Sequence, residues 1–202
     1  MPALHHRGRT IAIVLLFEGG LGAVALLIAW LIGHSPFSTD NSASATLILA
    51  ALSSLAALPL LVFVFALEQL PWPPLRRLDA RVREMVHQLF AGAAVIELFA
   101  ISLAAGLGEE LLFRGLLQSG LTNWLGGDTG MWIALALASV LFGVCHWLDS
   151  TYAVLATLAG AYFGLLLIAT DTLWAPIAAH ATYDFLALLY LVKPNDLVRW
   201  SV

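Results

Sequence analysis

The sequence has few charged residues and is poor in cysteine. Charged residues make up 11% of the 202 positions, whereas hydrophobic residues make up 61% and give a mean hydropathy of +0.91. Soluble domains are typically about 45–50% apolar and about 25% charged. This composition excludes an ordinary soluble domain and predicts an integral membrane protein.

The single cysteine, Cys145, excludes a disulfide framework within the chain and a zinc site built from cysteines. Nothing in the sequence marks Cys145 as an activated nucleophile, so we interpret it as a small packing residue. The chain has no basic stripe or aromatic platform, which excludes a typical nucleic-acid partner. It also lacks the His-Glu-x-x-His motif of zincin-type proteases and the Gly-x-Ser-x-Gly motif of serine hydrolases.

Long apolar runs recur along the chain, and a helix that crosses the bilayer core needs about 20 such residues. They predict an all-α fold, a polytopic transmembrane bundle of six to eight helices, in a single membrane domain over residues 1–202. The first run is longer than the apolar core of about 7–15 residues in a cleaved signal peptide, so we expect it to be retained as a span. The runs lie at residues 10–32, 46–67, 85–105, 131–147, 152–169 and 173–192.

Residues 70–89 interrupt this apolar pattern. Prolines precede a group of arginines that alternate with apolar residues, namely Arg76, Arg77, Arg81 and Arg83. The pattern predicts a basic amphipathic segment at the membrane interface, and an ordinary positively charged cytoplasmic loop fits it equally well. We therefore expect residues 1–89 to form N-terminal spans plus an interfacial basic segment.

The basic residues also predict the orientation of the chain. Those near the N-terminus and in residues 70–89 place both segments in the cytoplasm of a protein that we expect in the cell membrane. The apolar stretch over residues 85–120 is too long for one ordinary span. We favour a span over residues 85–105, a break near Gly106 and a shorter helix over residues 107–121. A single crossing here gives six spans in total, whereas two crossings give seven.

Three charged residues stand close together in the middle of the apolar sequence: Glu109, Glu110 and Arg114. A charge at membrane depth costs at least about 2.5 kcal/mol and normally faces a cavity or another charge. In a helix Glu110 and Arg114 share a face and can pair, whereas Glu109 is rotated by about 100° and needs another partner. Two other acids in apolar runs, Glu18 and Glu97, belong to no cluster, and we interpret them as cavity-facing or interhelical contacts.

Two further polar groups lie in later apolar runs. His146 follows Phe142 by one helical turn, and His180 precedes Asp184 by one turn. Residues four apart on a helix point the same way, which suits two ligands or two donors aimed at one point. Each group alone has a structural interpretation, as an interface histidine or a self-satisfying pair. Together with the acids near Glu109, they predict a shared polar cavity within the membrane.

In chain order these groups resemble the three-motif signature of the CAAX prenyl protease 2 family (Rce1-like, CPBP or Abi proteins). This family of intramembrane proteases includes Rce1-type CAAX endopeptidases and bacterial bacteriocin-processing or immunity-related proteins. The resemblance covers residues 108–184, and it implies a helix bundle with a catalytic core over residues 90–202. The matching motifs are Glu109-Glu110-x-x-x-Arg114, Phe142-x-x-x-His146 and His180-x-x-x-Asp184.

The resemblance also implies roles for these residues in peptide-bond hydrolysis. Glu109, together with His146, is expected to hold and activate a water. Glu110 is expected to be fixed by Arg114 as a supporting residue. The substrate class implied is a peptide or a protein, prenylated or not, at the membrane.

His180 and Asp184 are implied to stabilise the oxyanion of the tetrahedral intermediate. The family often has asparagine where this chain has Asp184, and an ionised carboxylate would repel an oxyanion. Asp184 must therefore be protonated, orient His180 or ligate a metal. The metal alternative is a zinc site of His146, His180 and a carboxylate, either Glu109 or Asp184, with one open position. A glutamate-dependent protease and a metalloendopeptidase both stay open.

Upright helices would place the two histidines at different depths. With a rise of about 1.5 Å per residue, His146 lies about 22 Å along its run and His180 about 10 Å into its own. An average helix tilt of about 20° recovers only part of this difference. We therefore expect a short or steeply tilted run over residues 152–169, or a re-entrant helix carrying a motif.

Two other functions fit the same residues. The chain could be a non-catalytic membrane scaffold or immunity protein of the same fold, in which the polar groups only hold helices together. It could also be a proton-coupled or solute transporter that uses the acids as a relay. The endopeptidase is the hypothesis that uses all three motifs.

Overall fold

A computed structural model describes residues 2–37 and 43–192, and these residues are almost entirely helical, with no strand. Two pairs of helices are joined without a loop, α2 to α3 through a 3₁₀ turn and α5 to α6 through a π-helical segment. Counted as continuous rods, the described part has seven helices, which confirms the all-α bundle. The elements are α1 (Pro2–Leu31), α2 (Ala43–Ser53), the 3₁₀ turn (Ser54–Ala56), α3 (Ala57–Glu68), α4 (Pro73–Phe90), α5 (Val95–Glu110), the π segment (Leu111–Gln118), α6 (Ser119–Leu125), α7 (Gly127–Cys145), α8 (Ser150–Thr170) and α9 (Trp174–Val192).

Most of these rods are long and apolar enough to cross a membrane. Five helices of the described residues qualify, and a sixth span results if α4 and the rod over Val95–Leu125 are taken together, although they are bent by 114°. The chain is therefore an integral membrane protein with several crossings. The five are Gly8–Leu31, Leu47–Glu68, Gly127–Cys145, Ser150–Thr170 and Trp174–Val192.

Helix α4 is amphipathic, as residues 70–89 predicted. Trp72 precedes it, and prolines occupy its first positions, where the missing N–H has no partner to lose. Its buried face carries Leu75, Leu78, Val86 and Phe90. Arg76 and Arg77 are exposed on the other face. The position of this helix at a membrane interface stays a prediction.

The expected break at Gly106 is wrong. The chain turns earlier, between Phe90 and Val95, and helix then continues from Val95 to Leu125. Gly92 has a φ of 74°, which favours glycine, and the Glu97 carboxylate accepts a hydrogen bond from the Ala94 N–H (2.7 Å) at the start of α5. The turn is therefore built into residues 91–94.

Gly106 has a packing role instead. A Cβ at this position would lie 2.9 Å from the Cβ and backbone nitrogen of Ala181 on α9. The glycine therefore lets α5 and α9 approach closely, as small residues do in membrane helix bundles. Such a glycine costs little helix stability compared with the contact it permits, which explains why the helix runs through it.

Two other glycines let α1 and α8 pack closely against their neighbouring helices. A Cβ on Gly108 of α5 would collide with the carbonyl oxygen of Glu18 on α1. A Cβ on Gly143 of α7 would collide with Thr157 on α8. These contacts fix α1 beside the Glu109 turn and α7 beside α8.

The π segment widens the helix at the charged motif. Its backbone follows i→i+5 spacing, and the Ser119 hydroxyl also donates to the carbonyl oxygen of Arg114 five residues earlier (2.8 Å). Isolated π turns inside α-helices occur frequently at functional sites. Here the segment begins directly after Glu110 and carries Arg114 and Gln118 into the protein interior.

Candidate active site

A buried ion pair lies at the innermost end of the site. Glu110 and Arg114 are both 0% exposed, and Arg114 Nη1 donates to Glu110 Oε1 at 3.0 Å, the pairing that helix periodicity predicts. Arg114 Nη2 donates to the carbonyl oxygen of Gly160 on α8 at 2.7 Å. The guanidinium carbon also lies 4.5 Å from the centroid of the Phe142 ring. The pair therefore links the π segment to α7 and α8.

His180 from α9 joins this buried ion pair. Its Nδ1 donates to Glu110 Oε1 at 2.8 Å, so Glu110 accepts from both Arg114 and His180. The imidazole stacks on Phe163, with ring centroids 4.7 Å apart. Because Nδ1 carries the proton given to Glu110, the opposite nitrogen, Nε2, carries a proton only when the ring is an imidazolium.

Glu109 is rotated by about 100° from Glu110 around the helix and meets both histidines. Its Oε2 lies 3.5 Å from His146 Nε2 and 4.0 Å from His180 Nε2. Its side chain is 12% exposed. Three helical elements of the described chain therefore bring one carboxylate and two imidazoles to a common point.

His146 reaches this point by folding back along α7. It caps the end of the helix, its Nδ1 donates to the carbonyl oxygen of Phe142 at 2.7 Å, and the two rings stack with centroids 4.3 Å apart. The ring therefore lies about one turn deeper than its backbone. Of the three expected arrangements, the short run over residues 152–169 is wrong, because α8 has 21 residues. The 114° bend between α4 and the rod that carries Glu109 is the geometry of a broken span or a re-entrant segment.

Asp184 contacts His180 one turn along α9. Its Oδ2 lies 3.4 Å from His180 Nε2, the same nitrogen that faces Glu109. The side chain of Asp184 is 27% exposed, whereas that of His180 is 6% exposed. Asp184 therefore lies on the open side of the site and His180 on the buried side.

A cavity of about 310 Å³ opens beside Glu109. Its walls come from α1, from the turn around Glu109 and from the end of α7, and they are mainly apolar. Cys145 lines this cavity and is exposed, so our interpretation of it as a packing residue is wrong. The lining residues are Phe17, Glu18, Leu21, Glu109, Leu112, Phe113, Cys145 and His146.

Glu18 is a site residue to which the sequence gave no catalytic role, and its predicted cavity-facing position is confirmed. The sequence signal for a functional role was that Glu18 is an acidic residue within an apolar span. Its neighbours could not be read from spacing, because they depend on how α1 packs against Gly108 of α5. Glu97 lies elsewhere and caps the start of α5.

The side chains of the described residues, as they are positioned, do not form a metal site. Among residues 2–37 and 43–192, no group of three or more histidine, cysteine, aspartate or glutamate side chains could hold a metal ion. The candidate ligands Glu109, His146, His180 and Asp184 lie close together but do not form such a group as placed.

Comparison with protein families gives a match over the part of the chain that carries the site. Residues 91–186 match the family described as type II CAAX prenyl endopeptidase Rce1-like. The matched segment begins at the turn before α5 and contains every motif residue from Glu109 to Asp184, whereas α1 to α4 lie outside it. Neither the curated proteins nor the solved structures include a significant match to the chain. Residues 91–186, just under half of the chain, are therefore similar to the Rce1-like type II CAAX prenyl endopeptidases, a family of intramembrane proteases.

Proposed function

We propose that this protein is an intramembrane endopeptidase in which Glu109 and His146 hold and activate a water for peptide-bond hydrolysis. One observation carries the proposal. Glu109 Oε2 lies within 4.0 Å of imidazole nitrogens from two separate helices, at the edge of a cavity of about 310 Å³. A structural ion pair would not need a second acid and a second histidine at this point.

The hydrogen bonds of His146 suit it to hold a water. Its Nδ1 proton is committed to the Phe142 carbonyl, so the neutral ring presents a lone pair at Nε2. Glu109 Oε2 lies 3.5 Å away and is also an acceptor. A water can donate one hydrogen to each of them, which directs its own lone pair into the cavity.

The mechanism moves one proton, which Glu109 takes from the water and later gives to the leaving amine. Glu109 takes a proton from the water as the water oxygen attacks the carbonyl carbon, which produces a tetrahedral oxyanion. The C–N bond breaks, and Glu109 returns the proton to the leaving amine. The products are a carboxylic acid and an amine, and the site returns to its starting state.

His180 is placed to stabilise the oxyanion. Since its Nδ1–H donates to Glu110, it can offer an Nε2–H to the oxyanion only as an imidazolium. Glu110 at one nitrogen and Asp184 at the other balance that positive charge. We therefore assign Asp184 the orientation of His180 rather than direct contact with the oxyanion.

Arg114 acts through Glu110. Its guanidinium donates hydrogen bonds to the Glu110 carboxylate and to a carbonyl oxygen on α8, and these bonds hold the carboxylate in place. The carboxylate in turn accepts a hydrogen bond from His180. Arg114 and Glu110 are therefore positioning residues. Their role is to keep the oxyanion donor at a fixed place in a site with little water.

The proposed substrate is a peptide or protein at the membrane, prenylated or not, in CAAX-type or bacteriocin-related processing. The family description supports the CAAX class, and the apolar walls of the cavity suit a greasy segment. We further propose a cell-membrane location with the N-terminus in the cytoplasm, based on the basic residues of α4. A divalent metal such as zinc stays an untested alternative and enters no step above.

The test is hydrolysis by the purified protein in liposomes. A farnesylated CAAX peptide and its unprenylated counterpart serve as probes, and mass spectrometry identifies the products. We expect cleavage by the wild type and its loss in Glu109→Gln, which keeps the size of the side chain but cannot take a proton. Glu84→Gln, an exposed change on α4, is the matched control. Full activity of folded Glu109→Gln contradicts the proposal.

A further inference from the structure

Glu18 brings a second acid to the cavity from a helix outside the family match. The residue lies on α1, and the family match begins only at residue 91. It lines the same cavity as Glu109 and His146. Its backbone carbonyl packs against Gly108, the residue directly before Glu109. The two acids are therefore held on facing walls by a close helix contact.

Among the described residues, the carboxyl group of Glu18 has no ion-pair partner within 4.0 Å, and His146 and His180 act on it only at longer range. Its Oε2 is buried and has no hydrogen-bond partner there. The buried cation of the site, Arg114, is already committed to Glu110 and to the carbonyl of Gly160. A carboxylate at membrane depth is costly without such a partner.

The acids of the site also outnumber its cations. Glu18, Glu109, Glu110 and Asp184 are carboxyl groups, and Glu18 lies near enough to be repelled by Glu109 and Asp184 and to be attracted by His146 and His180 when these are protonated. In the proposed mechanism His146 is neutral and contributes no charge. Arg114 and the oxyanion donor His180 balance two of the four. The site therefore has more carboxyl groups than cations among the described residues, and a positively charged ligand would balance the excess.

The walls around Glu18 define what can bring that charge. Phe17 and Leu21 flank Glu18 on α1, and Leu112 and Phe113 face it from the π segment. A lysine or arginine side chain fits this combination, because its aliphatic stem packs on apolar surface while its charged end reaches the carboxylate. A purely apolar substrate group would leave the carboxyl buried and unpaired.

Taken together, the geometry points to Glu18 as a specificity-determining residue, which binds a basic side chain of the substrate next to the scissile bond. This inference rests on the proposed peptidase function. It adds a requirement that the family segment does not contain, since α1 lies outside the matched residues.

A role for Glu18 as proton donor to the leaving amine is the main rival. The hydrolysis balances without it, because Glu109 both takes the proton from water and returns it to the amine. If Glu18 gave its proton to the leaving amine, another group would have to reprotonate Glu18 in every turnover. The mechanism needs no such group, because Glu109 already carries the proton. Substrate binding is therefore the role that the chemistry leaves to Glu18.

The test compares two peptides in liposomes containing the full chain. A mixture of peptides of known sequence first identifies the cleavage sites by mass spectrometry. A matched pair is then made in which the lysine nearest the scissile bond is kept or replaced by norleucine, which has a similar stem without the charge. The measured quantity is the ratio of kcat/KM for the lysine peptide to that for the norleucine peptide.

We expect the wild type to favour the lysine peptide by at least about tenfold, which corresponds to about 1.4 kcal/mol. In Glu18→Gln the ratio should fall to near one. Glu18→Asp, which keeps the charge, should retain a preference, and Glu84→Gln should leave the ratio at the wild-type value. Thermal unfolding in detergent shows that each variant is folded before its ratio is compared.

Three results would overturn the inference while leaving the peptidase function intact. The wild type could cleave both peptides equally well. Glu18→Gln could keep the lysine preference. Glu18→Gln could also slow both peptides by the same factor, which is the signature of a proton carrier. Absence of any cleavage by folded wild-type protein overturns both the inference and the proposed function.

Discussion

Replacing Arg114 by methionine should strongly destabilise the protein. The change leaves the fully buried Glu110 with His180 as its remaining partner and leaves the carbonyl of Gly160 without its donor. Removing one partner from a buried ion pair typically costs about 3–5 kcal/mol, because an uncompensated charge is left behind. We therefore expect Arg114→Met to unfold at a markedly lower temperature or denaturant concentration.

The exposed pair Arg81–Asp149 provides the matched control. Its side chains are 56% and 25% exposed and its N–O distance is 3.5 Å, compared with 0% and 3.0 Å for Arg114–Glu110. Exposed pairs typically contribute only about 0.2–1 kcal/mol. Arg81→Met should therefore change stability several times less than Arg114→Met.

A double-mutant cycle in detergent measures the coupling directly. Arg114→Met, Glu110→Leu and the double variant are unfolded in parallel, with helix content followed by circular dichroism. Because each single change strands the other charge, the double variant should be less destabilised than the sum of the two, by at least about 1 kcal/mol. Additive effects, or an Arg114→Met effect no larger than that of Arg81→Met, would refute the reasoning.

Three further predictions follow from the packing and from the site. Gly108→Ala should cost about 1–3 kcal/mol in thermal unfolding and lower activity, because its Cβ would collide with the Glu18 carbonyl. Gly120→Ala, which meets nothing within 4 Å, is its control, and equal effects of the two changes contradict the α1–α5 contact. Asp184→Asn should retain activity within about tenfold, since the amide can still contact His180 Nε2 and orient the ring before the oxyanion forms, whereas Asp184→Leu should lose about 10–100-fold. Equal kcat values for the two variants would argue against an orienting role. Treatment with 1,10-phenanthroline should leave peptide cleavage unchanged, and a loss that zinc restores would show that a metal takes part.

Local periodicity predicted much of the site. The i, i+4 spacing of Glu110 and Arg114 predicted their pairing, and the same rule left Glu109 facing elsewhere, as it does. Five of the six apolar runs predicted their spans to within a few residues, because a helix that crosses lipid must satisfy its backbone internally. The run at residues 85–105 did not, because the chain turns at residues 91–94. These features depend only on contacts between neighbours in sequence.

Other features depend on contacts between helices and could not be read in this way. A glycine in an apolar helix reads as a break, but Gly106 is there because Ala181 of α9 lies against it. Glu18 looked isolated because nothing in its own helix indicates that α5 lies beside it. The contact of the His146 ring with Phe142 is equally invisible in sequence, and it recovers about 5 Å, one helical turn, of the depth mismatch that upright helices imply.

The central claim is that Glu109 takes a proton from the attacking water. Its most direct test is single-turnover cleavage of a saturating peptide by Glu109→Gln in liposomes, with peptide binding measured on the same sample. We expect binding close to that of the wild type and a cleavage rate lower by about 10²–10⁴-fold, the usual contribution of a positioned general base. A cleavage rate within tenfold of the wild type, at equal binding, would contradict the account.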